Sequence, residues 1–452
     1  MARIGLRGRA GMTIKASSGL EELGHAGRMS TVFFYEAAPG DRLTLLDSAY
    51  LFNVATYAPA VDIKYIYTYA YQPDESWTSY NGDLSGDTYT RGPYVFSERV
   101  YFRVCLKRAD GADFGAGDDM GSILGFDSAL RRGRVAPGWI DSEAEAVAGR
   151  VRAAMEEGSK VFGLLADTHM TVNGTWDDTA DALRRVSGRV AFDGIIHLGD
   201  LTDGMVTAEA TRAYAGRMID DLRGMGAPLY VAVGNHDTNY FGGNAEPFSE
   251  DELCSVYLGH SDAYTARAPG KPYYYADIGG LRLIVLDSYD REDEIRYGFS
   301  DGCAEWLEAV LASTPHDIPM LVLSHITPLA PLQFWASSIR NGDRVFGLIE
   351  GHSRVHGNVL GYINGHNHAD QVYSGASFPI VSVGCAKLEY FEGKKPAGST
   401  APARKPGDRT QELWDVLVVS PGGRLDFIRY GAGSDRRVCA GARPTVAGQK
   451  GV

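Results

Sequence analysis

The sequence predicts a two-part chain: a smaller all-β domain, residues 1–135, precedes an α/β domain, residues 141–432. Two patterns predict the parts and a third places the seam. From about residue 30 to 115 apolar and polar residues alternate, as in Val61-Asp62-Ile63-Lys64-Tyr65-Ile66-Tyr67 and Val100-Tyr101-Phe102-Arg103-Val104-Cys105-Leu106. That is the period of a half-buried strand. From residue 161 onward, short wholly apolar runs alternate with helical stretches, the pattern of a sheet covered on both faces. Between them the Gly-rich, polar stretch Gly111 to Gly138 reads as the interdomain connection.

In the first part, turn clusters such as Asn81-Gly82-Asp83 and Ala109-Asp110-Gly111-Ala112 separate the strands, which makes a small β-sandwich the simplest expectation. Eleven of the 25 tyrosines lie between Tyr35 and Tyr101. Alternating aromatics suit strands, so core and cross-strand packing is the first reading of them. A face that stacks a glycan or other surface ligand is the second. In the other part, Asp141 to Glu157 has helical composition, with Asp141 or Ser142 as its cap and Gly158 as its end. Val161 to Ala166, Gly194 to Leu198, Leu229 to Val233, Leu281 to Leu286 and Met320 to Leu323 are the expected buried strands, and Thr207 to Met225 is an intervening helix. Residues 433–452, rich in Gly, Ala, Arg and Pro, are expected to form a flexible tail.

Composition narrows the classes of function. A length of 452 residues, 44% hydrophobic and 22% charged, is ordinary for a globular protein with more than one core. The formal net charge of −13 repels polyanions, so nucleic acid is not the expected partner. Cys105, Cys254, Cys303, Cys385 and Cys439 are widely spaced and form no Cys-x-x-Cys pair, which reads as scattered reduced thiols. The basic start (Arg3, Arg7, Arg9) leads into no apolar stretch of signal-peptide length, and no run approaches the ~20 apolar residues that span a bilayer. A cytoplasmic protein is the simplest expectation, although a chain trimmed of an export signal would read the same.

The chemistry is carried by short polar motifs that directly follow expected strands. Val161 to Ala166 runs into Asp167-Thr168-His169, Ile195 to Leu198 into Gly199-Asp200-Leu201-Thr202-Asp203, and Leu229 to Val233 into Gly234-Asn235-His236-Asp237. Leu321 to Ser324 runs into His325, and Leu360 to Asn364 into Gly365-His366-Asn367-His368. Ligands bind beyond the carboxyl ends of strands in open α/β sheets, where loops from several strands converge. Carboxylates and imidazoles suit two divalent cations, and the absence of cysteine from the set argues against a structural zinc or iron–sulfur site. One carboxylate can bridge two such ions. The glycines before Asp200, Asn235 and His366 are expected to let the backbone turn sharply.

This ordered set resembles the calcineurin-like metallophosphoesterase superfamily, whose pattern is Asp-x-His, Gly-Asp-x-x-Asp, Gly-Asn-His-Asp/Glu, a lone His, then Gly-His-x-His. The resemblance covers roughly residues 158 to 432 and implies a four-layer α/β/β/α sandwich. It implies one metal held by Asp167, His169, Asp200 and His368, and another held by Asp200, Asn235, His325 and His366. The ions would be Mn, Fe or Zn. Two departures narrow it further. The Arg-Gly that follows the second motif in the protein phosphatases is replaced here by Gly204-Met205, and the tyrosine ligand of purple acid phosphatases is replaced by Asp203. The Gly-Asn-His-Asp motif is similar to that of the class III cyclic-nucleotide and glycerophosphodiester phosphodiesterases, which favours small phosphodiesters.

The expected reaction is phosphate-ester hydrolysis by a hydroxide held between two divalent ions. His236 is the expected proton donor to the leaving alkoxide, Asp237 the group that orients it, and Asp203 a partner for a ligand histidine. Rival readings are a phosphomonoesterase or metallonuclease of the same superfamily, or a binding protein whose N-terminal domain is the working part. His197 is expected to pack in its strand, His352 and His356 to lie in a Gly-rich stretch before the last motif, surface-exposed in the first reading and on a substrate-facing loop in the second, and Phe334 and Trp335 are weaker candidates for a pocket wall.

Overall fold

The computed structural model describes residues 2–15, 21–57, 89–128, 136–170, 175–240, 244–291, 296–388, 393–405 and 407–440. The expected strand Val61 to Tyr67 and turn Asn81 to Asp83 lie outside them. The chain divides into two compact units, Met1–Val135 and Ala136–Val452.

The first unit holds β1 (Ala2–Ile4), β2 (Gly8–Ile14), β3 (Glu21–Thr31), β4 (Tyr35–Ala37), β5 (Arg42–Leu45), β6 (Tyr50–Tyr57), β7 (Tyr94–Val95), β8 (Val100–Arg108) and β9 (Leu124–Ser128). All pairings are antiparallel, in one sheet ordered β1-β9-β5-β7 and another ordered β2-β3-β8-β4, with β6 also on β8. Phe52, Phe96, Phe102 and Phe126 share one hydrophobic cluster, and the Phe102 and Phe126 rings meet edge to face at 4.8 Å. These four phenylalanines therefore pack inward, as strand alternation dictates. The expected connection from Gly111 to Gly138 is corrected in part. Asp119 caps a single helical turn, Met120–Ile123, which leads into β9, and β9 pairs with both β1 and β5. Glycine content hid a short strand whose Leu124 and Phe126 are core residues.

The second unit holds β10 (Lys160–Leu165), β11 (Gly194–His197), β12 (Leu229–Val231), β13 (Ala266–Arg267), β14 (Tyr274–Ile278), β15 (Leu281–Val285), β16 (Met320–Ser324), β17 (Val359–Asn364), β18 (Gln371–Tyr373), β19 (Ile380–Ser382), β20 (Leu413–Val419), β21 (Arg424–Gly431) and β22 (Arg436–Cys439). One sheet runs β12-β11-β10-β20-β21-β22 and the other β13-β14-β15-β16-β17-β19-β18. β10, β11 and β12 are mutually parallel, as are β15, β16, β17 and β19, so the carboxyl ends within each set share an edge.

Side-chain alternation sorts the layers. Leu283, Val285, Leu321, Leu323 and Ile363 join a core that includes Phe162, Leu164, Ile195 and Leu417 of the other sheet. Ile284, Val322 and Tyr362, pointing the opposite way, pack with Leu307 and Val345 of the helices Asp301–Ser313 and Gly342–His356. Helices Trp139–Ala154, Trp176–Ser187 and Ala208–Arg223 contribute Val147, Leu183 and Met218 to the first core. The result is the four-layer α/β/β/α arrangement.

Local details correct two expectations and bear out a third. The first helix starts at Trp139 without a side-chain cap, and Asp141 lies inside its first turn, paired with Arg185 and Arg189. Helix Ala208–Arg223 does have its cap, Thr207, whose side chain accepts from Ala210 N. The tail expected from residue 433 begins with β22, which pairs with β21 and leaves no loose segment before Ala440 among the described residues. No helix among the described residues is long and apolar enough to cross a membrane.

Candidate metal centre

Five strand ends deliver the motifs. Asp167 follows β10 by two residues, Asp200 follows β11 by three, Asn235 follows β12 by four, His325 follows β16 directly, and His366 follows β17 by two. Backbone hydrogen bonds extend the β10–β11 ladder into the loops: Asp167 N donates to Gly199 O, His169 N to Asp200 O and Met170 N to Leu201 O. The two sheets are joined here as well. Ala386 N and Lys387 N, past β19, donate to the carbonyls of Ala166 and Asp167, past β10, while Gly365 N donates to His325 O within the second sheet.

All seven residues expected as ligands come together, in two groups. In one, His169 Nε2 lies 3.1 Å from His368 Nε2 and 3.7 Å from Asp200 Oδ2, while His368 Nε2 lies 3.4 Å from Asp167 Oδ1. In the other, His325 Nε2 lies 3.2 Å from Asp200 Oδ2, 3.1 Å from Asn235 Oδ1 and 3.1 Å from His366 Nδ1. Asp200 Oδ2 thus faces both. His325 Nδ1 donates to Leu198 O at 2.8 Å, so in the neutral ring Nε2 carries a lone pair. A lone pair ringed by a carboxylate oxygen and an amide oxygen is repulsive unless a cation lies between them. The Asp200 carboxylate, overcoming burial, raises His325 to about 9. The donor chemistry and the convergence both fit a pair of divalent cations.

Backbone conformation adds a second mark. Among the described residues seven non-glycine positions have left-handed φ, and five of them are Asp167 (54°), His169 (43°), Asp200 (54°), His366 (68°) and His368 (54°). Such conformations cost energy in L residues and persist where surrounding contacts over-determine them. Here the glycine expectation is corrected. Gly199, at φ 95°, does turn the chain, but Gly234 and Gly365 are not left-handed. They are needed for space, because a Cβ on Gly234 would collide with Asp200 and one on Gly365 with Asp167 Oδ2.

The family model for calcineurin-like phosphoesterases matches residues 160–370. That segment is a calcineurin-like phosphoesterase domain. The chain is similar to a dimetal phosphatase from Danio rerio, with 17% identity, 62% of this chain and 99% of that chain covered, and a TM-score of 0.46. It is also similar to purple acid phosphatase PPD1 from yellow lupin seeds, with 12% identity, 97% and 74% covered, and a TM-score of 0.41. A further likeness is to GAP50 of the Plasmodium inner membrane complex, with 12% identity, 64% and 90% covered, and a TM-score of 0.41. No curated protein matches the sequence.

Around the centre of this phosphoesterase domain, Asp203 Oδ1 lies 3.2 Å from His169 Nδ1 and 3.8 Å from Lys387 Nζ. Burial pushes the Asp203 carboxyl up, but Lys387 and His169 outweigh it and hold the group ionised. His236 Nδ1 donates to the backbone carbonyl of Asp203 at 2.7 Å, and its ring stands edge-on to His169 at 4.5 Å. Burial lowers His236 to about 4, so without a bound anion the ring is neutral. The expectation that Asp237 orients His236 is corrected. Its carboxylate points inward, accepting from Thr202 N and Oγ1 through Oδ1 and from Gly234 N through Oδ2. It ties the second motif loop to the third. Burial, then the neighbouring Asp200, pushes it up to about 7.

Other residues were invisible in the sequence. Lys387 is 5% exposed and 220 positions from Asp167 in a segment with no motif, and Cys385 Sγ donates to Asp167 O at 3.0 Å. Thr202 Oγ1 meets the buried Tyr257 hydroxyl at 2.9 Å. The Tyr297 ring lies 5.4 Å from that of His366. Asn367 accepts from Phe334 N and donates to Leu332 O, which fastens the exposed Phe334 and Trp335 segment to the last motif. His197 is buried as expected. Its Nδ1 accepts from Gly199 N, so Nε2–H faces Thr168 Oγ1, and burial lowers it to about 3.

Proposed function

We propose that this phosphoesterase domain hydrolyses small phosphate esters, phosphodiesters in preference to monoesters, using two divalent cations. One would be held by Asp167, His169, Asp200 and His368, the other by Asp200, Asn235, His325 and His366. The observation that carries the reading is Asp200 Oδ2, which faces His169 Nε2 of one group and His325 Nε2 of the other. When bound, such ions lower the pKa of water and neutralise charge on phosphoryl oxygens.

The chain's own residues do the positioning. Asp200 Oδ1 accepts from His236 N at 2.8 Å, which leaves Oδ2 for the ions and sets His236 beside them. Asp203 fixes the His169 ring through Nδ1 and, through its carbonyl, the His236 ring. An anionic phosphate next to His236 raises the proton affinity of that imidazole, so the ring can accept a proton as substrate binds and return it to the leaving alkoxide. Diester preference is supported by Gly204-Met205, which stands where an Arg-Gly would grip a phosphate dianion.

The test is turnover of the full chain, reconstituted with Mn, Fe or Zn, on bis-aryl and cyclic diesters against aryl monoesters. Faster cleavage of the diesters is expected, and a strong monoester preference overturns the diester assignment. His236→Ala is expected to slow esters with poor leaving groups far more than activated aryl esters. Equal losses would remove His236 from proton transfer.

A further inference from the structure

β15 ends at the edge of the metal centre without a sequence motif. It runs parallel to β16, and β16 to β17, whose carboxyl ends deliver His325 and His366. The carboxyl end of β15 therefore opens onto the same edge. His352 and His356 do not: the last turn of helix Gly342–His356 leads into the amino end of β17, so neither lies on a substrate-facing loop.

The chain that leaves β15 is clamped from two directions. Ser288 Oγ accepts from Ile326 N at 3.0 Å, next to His325, and Ser288 O accepts from Gly298 N at 3.0 Å. Tyr289 and Tyr297 form an antiparallel bridge, Asp290 N donates to Arg296 O at 2.7 Å, and Tyr297 O accepts from Arg340 N at 2.9 Å. These bonds fix the Tyr297 ring 5.4 Å from the His366 ring and 5.7 Å from that of Tyr289. Tyr297 is half-buried, and among the described residues no protein group hydrogen-bonds its hydroxyl. Burial, then Tyr289 and the charge of Asp200, push that hydroxyl up to about 12, which places it within electrostatic reach of the carboxylate that faces both ligand groups.

We propose that Tyr297 contacts the substrate, its hydroxyl donating a hydrogen bond to a phosphoryl oxygen of the ester on the His366 side of the centre. The contact rests on the phosphoesterase reading above and adds a recognition residue to it. A phenol is a donor at neutral pH and carries no charge. It satisfies one phosphoryl oxygen without rewarding a second negative charge as an arginine fork does, which suits a singly charged diester. His236 stands against His169 of the other group, so the two side chains approach the ester from different ligand groups.

The experiment is calorimetric titration of the metal-reconstituted full chain with inorganic phosphate, alongside turnover of a bis-aryl diester and metal content by atomic absorption. Tyr297→Phe keeps the ring and removes one oxygen, so its metal content is expected to equal that of wild type. Its phosphate affinity and kcat/KM are each expected to fall about tenfold, the size of one hydrogen bond to a charged group. Phosphate is also expected to perturb the tyrosine absorbance of wild type, and the variant to lose that signal. Affinity and turnover equal to wild type would overturn the contact. A fall in bound metal would overturn it too, since Tyr297 would then support His366 instead of the substrate. A wild-type chain that neither binds phosphate nor cleaves any ester would sink the phosphoesterase reading and the contact with it, an outcome seen without the variant.

Discussion

Asp200 satisfies several demands at once. Oδ1 takes the His236 amide, Oδ2 faces two histidines, and its own backbone is left-handed. Asp200→Asn is therefore expected to abolish turnover and lower the bound metal measured by atomic absorption, and full activity in the variant would refute the bridging role. Gly234 tests space instead of charge. Its added methyl would press on Asp200, so Gly234→Ala is expected to cost on the order of 10²-fold in turnover with the far-ultraviolet dichroism unchanged. Retention of wild-type kinetics would show that the loop yields without moving the carboxylate. Lys387 shows why residue identity in sequence was not enough: a lone lysine carries no signal until the fold sets it beside Asp203.

Between elements, a buried ion network anchors the last motif. Arg429 on β21 donates to Asp415 on β20 and to both carboxylate oxygens of Asp370, which lies two residues past His368, and Gly384 N also donates to Asp370. The Arg429 and Asp415 side chains are each 1% exposed. Removing Arg429 leaves the carboxylates of Asp415 and Asp370 to Arg436 alone, so two buried charges share one cation. Arg429→Ala is expected to destabilise the chain by roughly 3–5 kcal/mol in urea unfolding. A loss near that of a surface pair, about 1 kcal/mol or less, would mean that the network is solvated. Strand positions were legible at this scale because fully buried strands read as continuous apolar runs, as β10 and β16 do. β9 and β22 were not legible, since short strands in Gly- or Arg-rich sequence are fixed by the partners that they pair with.

At the scale of the whole molecule, stability against pH reports a carboxyl held between layers. Glu412 precedes β20 and meets Thr179 Oγ1 of helix Trp176–Ser187 at 2.6 Å. Burial raises it to about 7. The folded state then keeps a proton that the unfolded chain releases near 4.5, so this contribution is full below about 4.5 and is lost as pH rises toward 7. The loss is on the order of 3 kcal/mol, and Glu412→Gln is expected to flatten that part of the urea-midpoint profile. An unchanged slope would place the ionised form in the folded state. Sequence alone determined the main buried strands of the α/β unit and the identity of the seven converging side chains, because hydrophobic period and strand-end motifs are local and survive without coordinates. Only the tertiary structure decided that Asp237 ties loops instead of orienting His236, that Lys387 and Arg429 brace the centre, and that Tyr297 stands beside His366. Those contacts join residues far apart in the chain, and distance in space is set by how the two sheets pack.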